Sequence, residues 1–183
     1  MRHWAIAVAV LASVAIIQDF ALPYFRVAGV RWDLMMAVLI AWSFVRGIEE
    51  AMVVVPLGGF MVSFFALEPL GTSVIAYAPI VPLTLLKNFN ALGSEYMMAA
   101  IVALFATFAH TILYLIVLDG TGYSPDWTSG LIEVTIPAAF MNMLAAPALM
   151  YAWRRLDKEH RGPEVGLRFT AGDRPRARRL EFR

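Results

Sequence analysis

Long apolar runs, separated only by short charged or Pro- and Gly-containing breaks, constrain this chain more than any other feature. A helix needs roughly 20 apolar residues to cross a bilayer core about 30 Å thick. Hydrophobic residues make up 60% of the 183 residues and charged residues only 16%, whereas soluble domains have about 25% charged residues. We therefore predict an all-α integral membrane protein with six spanning helices, at about 4-20, 30-46, 51-67, 70-87, 96-118 and 131-155.

A charged break between the second and third runs indicates a tight hairpin. Arg46-Gly47 is followed closely by Glu49 and Glu50. One continuous helix through this region would place three charges inside the membrane, at roughly 2.5–3.5 kcal/mol or more for each. A turn at Gly47 moves all three to the headgroups, so Asp33, Arg46 and Gly47 become the residues that define the topology of this pair of helices.

The Lys and Arg residues predict which way the helices face. With six spans, both termini lie on one side of the membrane, and that side also holds most basic residues, namely Arg2, Arg46, Lys87, Arg154, Arg155 and those of the C-terminal tail. The other side has only Arg26 and Arg31, so the positive-inside rule predicts cytoplasmic termini. The tryptophans fit an aromatic belt, because all of them fall near predicted membrane edges: Trp4, Trp32, Trp42, Trp127 and Trp153.

Residues 157-183 differ in kind from the transmembrane domain, residues 1-156. They mix basic and acidic residues and contain Gly162-Pro163, which is typical of a flexible, solvated cytoplasmic tail. The alternative is that its arginines contact anionic lipid, at about 1 kcal/mol for each. Those arginines are Arg174, Arg176, Arg178 and Arg179.

Polar residues inside predicted spans are the first candidates for function, because burying them in a membrane is costly. His110 lies near the middle of the fifth helix and Asn142 near the middle of the sixth. His110 could transfer a proton or bind a ligand, but a structural bond to a neighbouring helix is favoured because no second His or carboxylate lies at helical spacing in that span. Asn142 is likewise expected to bond between helices.

Glycines and prolines inside the apolar runs predict close packing and kinks. Gly58-Gly59 lets a neighbouring helix approach the third helix, and Ala5 and Ala9 offer a similar small-residue face on the first. Proline removes a backbone donor and bends a helix. Pro79 and Pro82 would therefore either open a cavity, as in transporters, or simply bend the fourth helix.

Catalytic motifs are absent from the sequence. There is no Walker A loop, no HExxH and no GxSxG, and the chain contains no cysteine. We accordingly expect a protein that is not an enzyme and that uses neither a cofactor nor a metal.

The stretch from Asp33 to Pro82 resembles MreD, the rod shape-determining membrane protein family of bacteria. Trp32-Asp33-Leu34 stands for the family's Pro-Asp-Leu start, and Arg46-Gly47 stands for its charged hairpin. Gly58-Gly59-Phe60 and Pro69-Leu70-Gly71 correspond to its Gly pair and to the start of its fourth helix. Ser63 occupies a position where the family commonly has Asp, so any role of that Asp is not carried over.

The resemblance implies a six-helix bundle similar to the substrate-binding subunits of energy-coupling-factor vitamin transporters. It implies a non-enzymatic scaffold of the elongasome in the bacterial inner membrane, which maintains cell shape and supports peptidoglycan synthesis. The direct partner would be the transmembrane helix of MreC, with RodA, a class B penicillin-binding protein and MreB as indirect partners, and no nucleic acid. The expected packing or partner-groove residues are Gly58, Gly59, Ser63, Gly71, Pro79 and Pro82.

The alternative function is that of a substrate-binding subunit of a vitamin transporter. Its first helix would dock a coupling subunit through Ala5 and Ala9, and its outer loops would hold a small ligand. Such pockets usually have several convergent polar groups, whereas the outer loops here offer few: Asp19, Arg26, Glu68, Asp126 and Trp127.

Overall fold

The computed structural model describes residues 2–21, 24, 26–27, 30–66, 69, 71–89 and 93–160. Helix α1 (Arg2–Ile16) is followed by a π-helical turn, Ile17–Ala21. An antiparallel pair of short strands, β1 (Arg26–Val27) and β2 (Val30–Arg31), precedes α2 (Leu34–Arg46). The chain continues as α3 (Ile48–Phe65), α4 (Thr72–Tyr77), α5 (Ile80–Thr84) and a 3₁₀ turn, Leu85–Phe89. It ends with α6 (Glu95–Gly120), a π-helical turn at Ser129–Val134 and α7 (Thr135–His160).

The predicted all-α class is confirmed, because helical segments occupy all six apolar runs in the described part of the chain. Three of these segments have the length and composition to cross a membrane: Ile48–Phe65, Glu95–Gly120 and Ser129–Leu156. The other three apolar segments are shorter, at Trp4–Phe20, Leu34–Arg46 and Thr72–Lys87. The fold therefore fits a membrane protein.

Helix α2 lies at the centre of the bundle. Every residue from Met35 to Phe44 is buried, and α2 packs against α1, α3, α5, α6 and α7. A helix that is apolar on all sides is expected in such an enclosed position. Its 13 residues measure only about 20 Å, and other helices of the bundle surround it.

The ends of α2 and α3 differ from the predicted boundaries. Helix α2 begins at Leu34 rather than at residue 30, because Asp33 caps it and accepts a 3.0 Å bond from the Met36 amide. Helix α3 begins at Ile48 rather than at residue 51, so Glu49 and Glu50 form part of its first turn. Carboxylates are favoured there by the helix dipole, which explains why the helix extends into the charged break.

The fourth segment is not the single helix predicted over residues 70-87. Its chain is helical to Tyr77 and resumes at Ile80, with i to i+3 backbone bonds from Ala78 to Ile75 and from Val81 to Ala78. Pro79 and Pro82 have no amide hydrogen to donate, so regular α-helical bonding cannot run through them. The result is a broken, tightened helix.

The last helix is longer than predicted at both ends. It starts with a π-helical turn at Ser129 rather than at residue 131, and it continues as an α-helix to His160. The helix therefore includes the first four residues of the predicted tail. The rest of the tail, with its candidate lipid-binding arginines, lies outside the described residues.

Candidate functional site

A cavity of about 400 Å³ lies at one end of the bundle. The π-helical turn after α1, the end of α3 and the starts of α2 and α4 meet there. The π-helical turn before α7 and the second half of α6 complete the walls. Polar and aromatic side chains supply much of the lining: Gln18, Asp19, Trp32, Asp33, Ser73, Tyr77, Thr107, His110, Thr111 and Tyr114. Apolar and small residues complete it: Val62, Ala66, Leu115, Gly130, Val134 and Ala138.

Two side chains hold the first turn of α2 at the cavity. The Asp33 carboxylate caps Met36, and the Gln18 side-chain oxygen accepts a 2.7 Å bond from the buried Met35 amide. The first amides of a helix have no partner within it, so Gln18 of the π-helical turn after α1 satisfies one of them and Asp33 satisfies another. Gln18 is thereby fixed at the cavity wall.

Asp33 also joins α2 to α4. The Tyr77 hydroxyl lies 2.9 Å from each carboxylate oxygen of Asp33. Tyr77 is 1% exposed, and a buried polar group is usually hydrogen-bonded within the protein or to ordered water. The predicted topology residue Asp33 is therefore a half-buried link between two helices as well as a cap.

Three rings form a continuous aromatic wall. The His110 ring lies 4.5 Å from the Tyr77 ring, between centroids, and 6.1 Å from the Tyr114 ring, with which it is stacked. His110 and Tyr114 are one helical turn apart on α6, whereas Tyr77 comes from α4. The structure thus brings His110 next to the residue that binds Asp33.

A chain of hydrogen bonds crosses the bundle beside this wall. The Trp32 indole donates to the Asn142 side-chain oxygen at 3.0 Å, and the Asn142 amide donates to the Thr107 hydroxyl at 3.1 Å. Thr107 in turn donates to the Ala103 carbonyl at 2.7 Å. Asn142 is fully buried, and its bonds join the start of α2, α6 and α7.

The predicted packing glycines face into the bundle. A Cβ on Gly58 would lie 2.9 Å from a Leu39 methyl on α2, and a Cβ on Gly59 would lie 2.7 Å from the Val74 Cα on α4. Both positions are therefore filled by the chain's own helices. The Ser63 hydroxyl belongs to the same contact, because it accepts a 3.2 Å bond from the Ser73 amide.

The remaining predicted groove residues lie around the broken fourth helix. Gly71 precedes α4 and has a φ of +95°, a conformation that favours glycine. Pro79 is partly buried at the start of α5, and Pro82 is exposed on the next turn. The structure therefore does not gather Gly71, Pro79 and Pro82 at the cavity lining.

The opposite end of the bundle contains several polar contacts between helices. Trp42 is only 2% exposed; it donates to Glu50 at 3.1 Å and meets the Trp153 ring edge-on. Trp42 is therefore an internal contact rather than a lipid-facing belt residue. Lys87 donates to the Phe44 carbonyl at 2.6 Å, which ties the 3₁₀ turn to the end of α2.

Charged groups also join α6 to α7 at this end. Arg154 forms a salt bridge with Glu95, and its guanidinium lies 5.5 Å from the centre of the Tyr96 ring. The basic residues of this end thus have structural roles in addition to the topological one predicted from their positions.

Sequence reasoning did not find the cavity, because its residues are far apart along the chain. Gln18 and Tyr77 are unremarkable within their own segments, and Thr107 and Tyr114 follow ordinary helical spacing. The available signal was that Asp19 and Asp33 end and begin neighbouring spans on one predicted side of the membrane. Among the described residues, no three His, Cys, Asp or Glu side chains lie close enough together to hold a metal ion.

Comparisons of this chain with protein families, with curated proteins and with solved structures found no match.

Proposed function

We propose that this protein is an MreD-like, non-enzymatic scaffold of the bacterial elongasome. It lies in the inner membrane with six spans and cytoplasmic termini, and it binds the transmembrane helix of an MreC-type partner. Through that partner it acts on RodA, a class B penicillin-binding protein and MreB, and so on cell shape and peptidoglycan synthesis.

The supporting observation is that the residues of the family resemblance are also those that lock α2, α3 and α4 together. Asp33 caps α2 and accepts hydrogen bonds from Tyr77, and Gly58 and Gly59 admit α2 and α4 against α3. Gly47 joins α2 to α3 alone, with a φ of +94°. A motif that specifies a rigid helical unit, rather than a reactive site, is what a scaffold requires.

The binding surface for the partner helix is proposed to be the outer face of α3. Large apolar side chains point outward there at helical spacing: Met52, Val53, Phe60 and Phe64. Because Gly58 and Gly59 anchor the opposite face of the same helix, the outer face is held in a fixed position. Helix association in a membrane relies on such close van der Waals packing.

Co-purification after detergent extraction tests this function. The expected result is recovery of an MreC-type partner at near-equal stoichiometry with wild-type protein, and reduced recovery with the double variant Phe60→Ala and Phe64→Ala. The matched control is Phe105→Ala with Ile112→Ala on the exposed face of α6, which should retain the partner. Recovery of ATPase-containing coupling subunits in place of that partner would contradict the proposal.

The cavity supports the second candidate, a substrate-binding subunit of a vitamin transporter. The sequence offered few polar residues in its outer loops, but the structure brings several polar side chains from different helices to one pocket. Ala5 and Ala9 are also exposed on α1, as docking to a coupling subunit would need. A vitamin that remains bound through purification would favour this function.

A further inference from the structure

The chemistry of the cavity lining selects for positive charge. The described lining residues include the carboxylates of Asp19 and Asp33 but neither Lys nor Arg. Asp33 is held in place by Tyr77 and by the Met36 amide, so its carboxylate oxygens stay at the cavity. Away from bulk water, attraction between a carboxylate and a cation is stronger than at an exposed surface.

The aromatic residues of the lining add a second, independent preference for a cation. Trp32, Tyr77 and Tyr114 line the cavity, and His110 contacts both tyrosine rings. The faces of aromatic rings attract ammonium groups, and sites for quaternary ammonium ligands are commonly built from several such rings. Carboxylates and rings together therefore favour an organic cation.

The size of the cavity limits the ligand to a small group. A volume of about 400 Å³ falls in the range of small-molecule sites, roughly 300–1,000 Å³, and cannot enclose a helix about 10 Å wide. The described residues also contain no set of three metal-ligating side chains, which disfavours a bare metal ion.

We propose that this cavity binds an ammonium group, carried either by a small soluble amine or by the headgroup of an amine-containing phospholipid. Asp19 and Asp33 attract the charge, and the rings of Trp32 and Tyr114 contact the methyl or methylene groups around the nitrogen. The site is separate from the outer face of α3, so the inference does not depend on which partner the protein binds.

The soluble source is tested by calorimetry on the full chain in nanodiscs of phosphatidylglycerol, which has no amine. Choline should bind saturably, and its neutral isostere 3,3-dimethylbutan-1-ol should bind at least about tenfold more weakly, because the ring and carboxylate attractions act on charge. Asp19→Asn should weaken choline binding by about tenfold. The control Asp119→Asn, an exposed carboxylate outside the cavity, should not change it.

Tyr114→Leu, which does not alter a carboxylate, should also weaken choline binding. Thermal unfolding of each variant shows whether that variant is folded. The lipid source is tested by native mass spectrometry of protein extracted from its own membrane. Wild-type protein should retain a phosphatidylethanolamine that choline displaces, and Asp19→Asn should retain less. The proposal is overturned if folded wild-type protein binds neither choline nor phosphatidylethanolamine, or if 3,3-dimethylbutan-1-ol binds as well as choline. It is also overturned if both Asp19→Asn and Tyr114→Leu bind choline like wild type. Partner co-purification is a separate measurement, so a failure here is distinguishable from a failure of the scaffold function.

Discussion

At the scale of single residues, Gly58 and Gly59 show how neighbouring positions on one helix face different partners. Beyond Gly58 lie the end of the Leu39 side chain and the Met35 sulfur, which can move. Beyond Gly59 lies the backbone of Ser73 and Val74, which cannot move without displacing α4. The same added methyl group therefore has different consequences at the two sites.

Gly59→Ala is expected to destabilise the protein by about 1–3 kcal/mol, the usual cost of overpacking a tight contact. Gly58→Ala should cost less, because Leu39 can change its rotamer. Thermal unfolding in detergent measures both, with Gly120→Ala as the control, since a Cβ there meets nothing within 4 Å. Equal losses at Gly58 and Gly59 would contradict the assigned contacts.

Asn142 is the centre of the hydrogen-bonded chain between Trp32 and Thr107. Asn142→Leu should lower stability, because it leaves buried polar groups without partners. A double-mutant cycle with Trp32→Phe isolates the bond itself, and we expect a coupling energy of about 0.6 kcal/mol, as is typical between membrane helices. Zero coupling, measured by unfolding of the four proteins, would show that the indole does not bind Asn142.

At the scale of the helices, the start of α2 depends on groups supplied from outside it. Its Met35 amide binds Gln18 of the first segment, and its cap Asp33 binds Tyr77 of α4. The short helix is therefore positioned at its N-terminal end by two other segments. The Asp33 carboxylate is thus both the cap of α2 and its link to α4.

Replacing Asp33 separates these two roles. Asp33→Asn keeps a capping oxygen and should cost less stability than Asp33→Ala, which loses the cap, at about 0.5–2 kcal/mol, together with the Tyr77 bond. Tyr77→Phe, which removes only the hydroxyl, should lie between wild type and Asp33→Ala. The order of unfolding temperatures checks this, and an alanine variant as stable as the asparagine variant would refute the capping role.

The helices and the cavity differ in how far the sequence predicts them. Apolar runs ended by charges locate all six helical segments, because helix length and apolar composition are local properties. The break at Pro79 follows from a missing donor, but a proline pattern alone also fits simple bending. The cavity depends on contacts among residues as distant as Gln18, Tyr77 and His110, and no local pattern encodes which helices become neighbours.

At the scale of the whole molecule, the proposed orientation can be tested directly because the chain has no native cysteine. Ser94 precedes α6 and Ser124 follows it, and both are exposed. Ser124→Cys should react with a membrane-impermeant maleimide in spheroplasts, whereas Ser94→Cys should react only after permeabilisation. If both variants react in intact spheroplasts, α6 does not cross the membrane as proposed.

The central position of α2 also has a consequence for how the protein is made. Residues 34–46 leave the ribosome before α7, one of the helices that enclose them. Until α7 is made, α2 is a short apolar segment whose α7-facing side is uncovered. Only Gly47 separates it from α3. Ribosomal stalling or truncation before residue 135 therefore leaves a nascent chain in which the face of α2 that packs against α7 stays uncovered.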